Sequence, residues 1–188
     1  MAHTMRAAVV GVPVPSLEIS LGILAWVVGG AGLASGLGTL LVALGVALAG
    51  YLWVVRRRAD GMVVRLHPER KRRMQRLIVI GVAGLVAFPT LLAFVEYGEL
   101  GTALSAALIG VLLIMASSVV EERSLVAVGA LVLVVAALGA FLALNSPGVG
   151  VSQPVIGLGA GAILWIAGMR RLGVLDELRR RVAARTRR

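Results

Sequence analysis

From Ile19 to Val55 the chain carries no charged side chain. As a single α-helix rising 1.5 Å per residue, that stretch would be about 55 Å long, nearly twice the roughly 30 Å hydrocarbon core of a bilayer. A soluble domain of this size could not hide so much uncharged chain without leaving large apolar patches on its surface. The bilayer is the natural solvent, and the stretch has to fold back on itself. GLASGLG, Gly32 to Gly38, offers the turn, because Gly and Ser clusters break helical runs.

The rest of the chain repeats the pattern. Between Arg76 and Arg170 the only basic residue is Arg123, and only 15% of all residues are charged, against roughly 25% in soluble domains. Mean hydropathy is +0.97. Uncharged windows of about 20 residues, enough to cross the membrane as helices, divide the chain into six spans at about 17–34, 38–55, 77–95, 102–120, 125–144 and 155–169. EYGELG separates the third from the fourth. EERS, Glu121 to Ser124, is too charged for hydrocarbon and too short for anything but a tight turn at the membrane surface. NSPGVGVSQP precedes the sixth span and puts Pro154 in its first turn, where the missing N–H costs little.

The expected fold is all-α and polytopic: six transmembrane helices in three hairpins, followed by a short basic amphipathic helix. Residues 1–16 form an N-terminal segment, 17–171 the transmembrane domain with a basic loop at 56–76, and 172–188 a basic tail. Two alternatives compete. A cleaved signal peptide would need a shorter apolar run, and a five-span chain would leave Arg6 alone on the far side.

Orientation follows from the enrichment of Lys and Arg in cytoplasmic loops. With six spans and the N-terminus inside, Arg6, the loop 56–76, Arg123, and Arg170 and Arg171 together with the C-terminal tail hold all 19 basic residues on the cytoplasmic side. The three outer connections, near residues 35, 98 and 149, hold none. A multi-pass protein of the cell membrane with both termini in the cytoplasm is expected.

The stretch RRRADGMVVRLHPERKRRMQR, residues 56 to 76, is the densest basic segment. Each cation close to anionic headgroups is worth about 1 kcal/mol, so Arg56, Arg57, Arg58, Arg70, Lys71, Arg72 and Arg73 are expected to contact anionic lipid. Arg179, Arg180 and Arg181 in the tail are expected to do the same, on a helix with Asp176 and Glu177 at its N-terminal end. No aromatic platform or nucleic-acid module accompanies the charge, so nucleic acid is not an expected partner. The middle of the loop, Asp60 to Glu69, is longer than a plain connection requires.

Helices in lipid associate by close packing and not by the hydrophobic effect, which favours small residues at their contacts. GVALAG in the second span and GLGAGAILWIAG in the sixth are rich in them. Gly157 and Gly161, four residues apart, are expected to pack helices together, either within the chain or against a second copy or another membrane subunit. Trp26 and Trp165 lie deep enough in their spans to need a hydrogen-bond partner or a cavity. Pro89 should disturb the third span, with Thr90 beside it. The first pair of spans, LGILAWVVGGAGLASGLGTLLVALGVALAGYLWVV, resembles in rhythm the acid-resistance membrane proteins, small bacterial proteins of six helices in repeated hairpins, without sharing a diagnostic residue.

Chemistry-bearing residues are scarce. With no cysteine there is no disulfide, thiolate metal site or cysteine nucleophile. His3 and His67 are the only histidines and neither can reach a membrane serine such as Ser35. Asp60 and Asp176 are the only aspartates, too few for a Mg²⁺-binding phosphotransferase motif. No ionisable residue falls in the centre of a span, where one would mark a transport path; Glu18, Glu96 and Glu99 sit at span ends. Glu96 and Glu99 are spaced to share a cation on a continuous helix. No cofactor, metal or catalytic residue is expected.

Three functional readings follow. The first is a non-enzymatic structural or accessory membrane subunit with a basic cytoplasmic face. The second is a channel or facilitator for a neutral small solute, using hydroxyls such as Ser20, Thr39, Thr90, Ser105, Ser117 and Ser118. The third is an enzyme acting on lipid phosphates, joining His67 and its neighbouring arginines to Glu69 or Glu121.

Overall fold

A computed structural model describes residues 14–33, 36–59, 68–94, 98–145 and 150–177, together with Arg180 and Ala183. It is all-helical over these residues, with α1 at Val14–Ala31, α2 at Gly36–Ala59, α3 at Pro68–Phe94, α4 at Gly98–Val120, α5 at Ser124–Asn145 and α6 at Ser152–Arg171. Four stretches are long and apolar enough to cross a membrane: Gly36–Arg57, Leu100–Val120, Ser124–Asn145 and Ser152–Arg171. The protein is therefore of an all-α, multi-pass membrane type. In α1 the apolar stretch, Leu17–Ala31, is shorter.

Helix boundaries follow local chemistry. Pro68 opens α3 and Pro154 lies in the first turn of α6, positions that need no N–H partner. α2 and α3 run beyond their apolar segments, so Arg56 to Arg58 and Arg70 to Arg76 are helical, while the loop centre from Asp60 to His67 lies outside the described residues. α4 ends in a left-handed turn at Glu121, with φ of 59°. There the Glu122 N–H reaches back to the Ser117 carbonyl at 3.1 Å, which satisfies one of the helix's orphan acceptors. Gly173, with φ of 71°, ends α6, and a single helical turn at 174–177 follows it.

The helices do not pack most closely within the consecutive pairs. The largest contacts are between α1 and α6 and between α4 and α5, with smaller ones joining α3 to α4, α1 to α2, α5 to α6 and α4 to α6. α2 thus rests chiefly on α1, and α3 on α4. The order across the bundle is α2, α1, α6, then α5 and α4, then α3.

The seam between α1 and α6 is antiparallel and is built from small residues along its whole length. Near one end Gly32 meets Pro154 and Gln153, and the Gln153 side-chain amide donates to the Val28 carbonyl at 3.0 Å. Next along it, the backbone at Gly29 lies against that at Gly157, and Gly161 faces the Gly22 carbonyl and Trp26. Trp165 fills the space above Gly22. Its ring stacks on Trp26, centroids 4.8 Å apart, and both rings lie over Gly45 of α2. The Trp26 indole N–H donates to the Leu41 carbonyl at 2.7 Å, tying α1 to α2. The buried Trp165 N–H has no partner.

The second large seam uses the same device, with Gly110 of α4 against Gly129 of α5. Between the two seams lies a core of Ile109, Leu113, Leu125, Val132, Ala160 and Leu164. The outer faces are apolar too: Leu40, Val79, Val86, Leu131 and Leu144 are all more than half exposed. In water such a surface would drive aggregation; in lipid it is the expected exterior.

At Gly157 a Cβ would collide with the backbone of Gly29 and the carbonyl of Ala25, whereas at Gly50 nothing lies within 4 Å. Gly157→Leu is expected to destabilise the fold by about 1–3 kcal/mol or more, as overpacking does, and Gly50→Leu to leave it unchanged. Thermal unfolding of the two variants in detergent, followed by loss of the monodisperse peak, checks this.

Candidate functional site

The most elaborate polar arrangement among the described residues centres on Arg171, the last residue of α6. Its Nε–H donates to Glu18 Oε1 of α1 at 2.9 Å, and its Nη2–H donates to the hydroxyl of Ser124, the first residue of α5, at 2.9 Å. Its Nη1 pairs with Glu122 Oε1 in the turn between α4 and α5. The Ser124 hydroxyl in turn donates to the same Glu122 oxygen at 2.8 Å. One guanidinium therefore joins α1, the α4–α5 turn, α5 and α6, using the fork geometry that suits Arg to bridging several oxygens.

Burial is graded across the cluster. The Glu18 side chain is 0% exposed, that of Arg171 13% and that of Glu122 29%. Glu18 Oε2 is buried without a hydrogen-bond partner. Two carboxyl groups share one guanidinium. Next to it the neighbouring Arg170 is exposed, and among the described residues no hydrogen bond or ion pair engages its side chain.

The cluster sits where helix ends meet. Leu52 and Ala49 of α2 pack with Ile19 of α1, and Met74 of α3 packs with Ala116 and Leu125, so the basic ends of α2 and α3 are at the same end of the bundle as Arg171. Of the residues expected to meet anionic lipid, Arg57, Arg72, Arg73 and Arg180 are exposed. Arg56 is half-buried, with its guanidinium 5.0 Å from the Trp53 ring centroid. Arg58, Arg70 and Lys71 have helical backbones, but their side chains lie outside the described residues, as do Arg179 and Arg181 altogether. Gly157 and Gly161 are occupied against α1 of the same chain.

Cavities among the described residues include two between helices of the bundle. One, of about 480 Å³, runs between α5 and α6 from Glu122, Ser124 and Arg170 to Leu131 and Ile163. The other, of about 350 Å³, lies among α1, α3, α4 and α6 and is apolar apart from Thr102 and Ser105. The hydroxyls considered for a permeation path are spread out, and several serve their own helix: Thr90 donates to the Val86 carbonyl, Ser105 to Gly101, Ser117 to Ile114 and Ser118 to Met115. Ser20 and Thr39 are exposed on α1 and α2. No group of His, Asp and Glu able to hold a metal occurs among the described residues. His3, His67, Glu96 and Tyr97 lie outside them.

No family model, curated protein or solved structure matches the chain. The resemblance of the first two spans to the acid-resistance membrane proteins remains one of rhythm.

Removing one partner of a buried ion pair leaves an uncompensated charge, while replacing both with apolar groups is often nearly neutral. Arg171→Met is therefore expected to cost about 3 kcal/mol, the lower part of the usual range because Arg171 is not wholly buried. The double variant Glu18→Leu with Arg171→Met should recover most of that loss. A double-mutant cycle on unfolding in detergent measures the coupling.

Proposed function

We propose that the protein is a non-enzymatic integral membrane protein with six spans, acting as a structural or accessory subunit that presents a basic face to the cytoplasm. The observation that carries this reading is the segregation of chemistry. All the described charges but Glu99, in the first turn of α4, collect at one end, and the interior is packed with Gly, Ala and Trp contacts without an ionisable side chain at mid-depth among the described residues.

Packing supports counting α1 and α3 as spans. α1 lies against α6 from Gly32 and Gln153 at one end to Glu18 and Arg171 at the other. A helix laid along a long apolar helix in this way is suited to cross with it. α3 lies against α4 over part of its length, with Gly81 beside Leu112 and Met74 in one buried cluster with Ala116. The positive-inside tendency then assigns the charged end to the cytoplasm, together with both termini and the tail helix after Gly173.

The packing also favours this reading over a facilitator. A solute path needs hydroxyls converging on one cavity, and here Ser20, Thr39, Thr90 and Ser118 lie on separate exposed surfaces. The lipid-phosphate enzyme has less support, because Arg171, the best-placed cation, is already held by two carboxylates.

The natural absence of cysteine makes the topology directly testable. Single cysteines at Arg57 and Arg72 should react with a membrane-impermeant thiol reagent only after the cytoplasmic side is opened. Gly36→Cys, at an exposed glycine with no neighbour within 4 Å, should react from outside in intact cells. Labelling of Arg57→Cys and Gly36→Cys from the same side would overturn the six-span arrangement.

A further inference from the structure

We infer that the groove between α5 and α6 is a binding site for an amine-bearing phospholipid of the phosphatidylethanolamine type. Its hydrocarbon would lie along the groove, its phosphate at Arg170 and its ammonium at Glu122. The groove's polarity runs in the order of such a molecule. Glu122, Ser124 and Arg170 form the mouth, Ala127 and Ala167 come one turn further in, and Leu131 and Ile163 line the inner part. From Ser124 to Leu131 the depth is about 10 Å at the helical rise, well within one leaflet's share of the hydrocarbon core.

Charge complementarity selects the headgroup. Arg170 is an exposed cation with no side-chain partner among the described residues, and guanidinium suits phosphate oxygens. Glu122 uses its Oε1 for both Arg171 and Ser124. Its Oε2 takes part in neither contact, and the side chain is 29% exposed. The mouth thus presents a negative and a positive group side by side. A simple anionic headgroup would meet repulsion from Glu122, and a quaternary ammonium has no N–H to donate to it. A primary ammonium beside a phosphate satisfies both groups.

The site rests on the reading that this end of the bundle meets the headgroup layer. Lipid binding is read in detergent and topology by labelling in membranes, so either can fail without the other.

The test uses the full-length protein, delipidated in detergent and titrated by native mass spectrometry with phosphatidylethanolamine, phosphatidylcholine and phosphatidylglycerol of equal chain length. Phosphatidylethanolamine should bind at least about ten-fold more tightly than phosphatidylcholine, the effect of one hydrogen bond to a charged group. It should also outbind phosphatidylglycerol. E122Q should abolish the preference for the ethanolamine lipid, and R170Q should weaken all three lipids by about five-fold, the worth of one cation at a headgroup. G50L, outside the groove at a glycine with no neighbour within 4 Å, should change nothing.

Because E122Q disturbs the Arg171 cluster, A127F provides an independent arm. Ala127 is exposed in the groove, so the ring fills the groove without entering the core, and lipid binding should be lost while the melting temperature holds. Equal binding of the three lipids would overturn the proposal, as would unchanged binding by A127F. Full competition by soluble phosphoethanolamine would show that the hydrocarbon groove plays no part and would also overturn it. So would a lipid-free dimer that A127F dissolves, because the occupant would then be a second copy of the chain.

Discussion

In a bilayer, two helices gain little by hiding apolar side chains from each other, since lipid tails solvate those side chains equally well. Attraction has to come from backbones brought close enough for dispersion contacts to accumulate, and the α1–α6 seam supplies this from Gly22 through Gly29 on one side and Gly157 through Gly168 on the other. The rest of the bundle depends on this contact. α2 reaches the other helices chiefly through α1, while α6 touches α4 and α5. Opening the seam would therefore release the first two helices together from the remaining four. The paired rings of Trp26 and Trp165 occupy the hollow left above Gly22 and Gly45, so the same glycines both permit close approach and make room for the two largest side chains.

The Arg171 cluster secures one end of that seam, and the Gln153 amide on the Val28 carbonyl secures the other. A charged side chain at the centre of a bilayer is costly, yet here the cation is the last residue of a helix and three oxygen-bearing side chains surround it. Glu18 is partnered by Arg171, and Arg171 by Glu122 as well, and partners of this kind are the condition under which buried ionisable groups are tolerated. The pairing also has consequences for register. An antiparallel glycine seam could slide by a helical turn and still find small residues, but the Glu18–Arg171 contact exists in one register only. Specificity of alignment is the best-attested use of such buried pairs.

Much of the architecture was legible because its signals are periodic or additive. The uncharged windows, the turns at GLASGLG and EERS, and the place of Pro154 in a first helical turn can be read from residue type alone, whereas the start of α3 at Pro68, nine residues before its apolar stretch, lay within what reads as a loop. The Arg171 cluster could not be found that way, since Glu18 and Arg171 stand 153 positions apart and each reads as an ordinary span-end charge. The available signal was combinatorial: a lone carboxylate near the start of the first span and an arginine at the end of the last lie at the same membrane level in any six-span chain. Gly157 and Gly161 were recognisable as a packing surface, but whether the opposing helix was α1 or another subunit depended on which helices are neighbours. Trp26 and Trp165 pair for the same reason, since their contact exists only once α1 and α6 lie side by side.

The separation of packing from chemistry bears on what such a chain can do. Its small and aromatic residues are consumed in holding helices together, and the cavity among α1, α3, α4 and α6 offers only Thr102 and Ser105 as polar groups, with Ser105 already donating to its own helix. An apolar void of this kind has no means of orienting a polar molecule. At the charged end, by contrast, Arg170 and the free oxygen of Glu122 adjoin a groove open to lipid. On the reading proposed here, selective recognition belongs to the rim of the bundle and not to its axis. A ligand would then arrive sideways through the leaflet, and the partner's chemistry would be that of the headgroup layer.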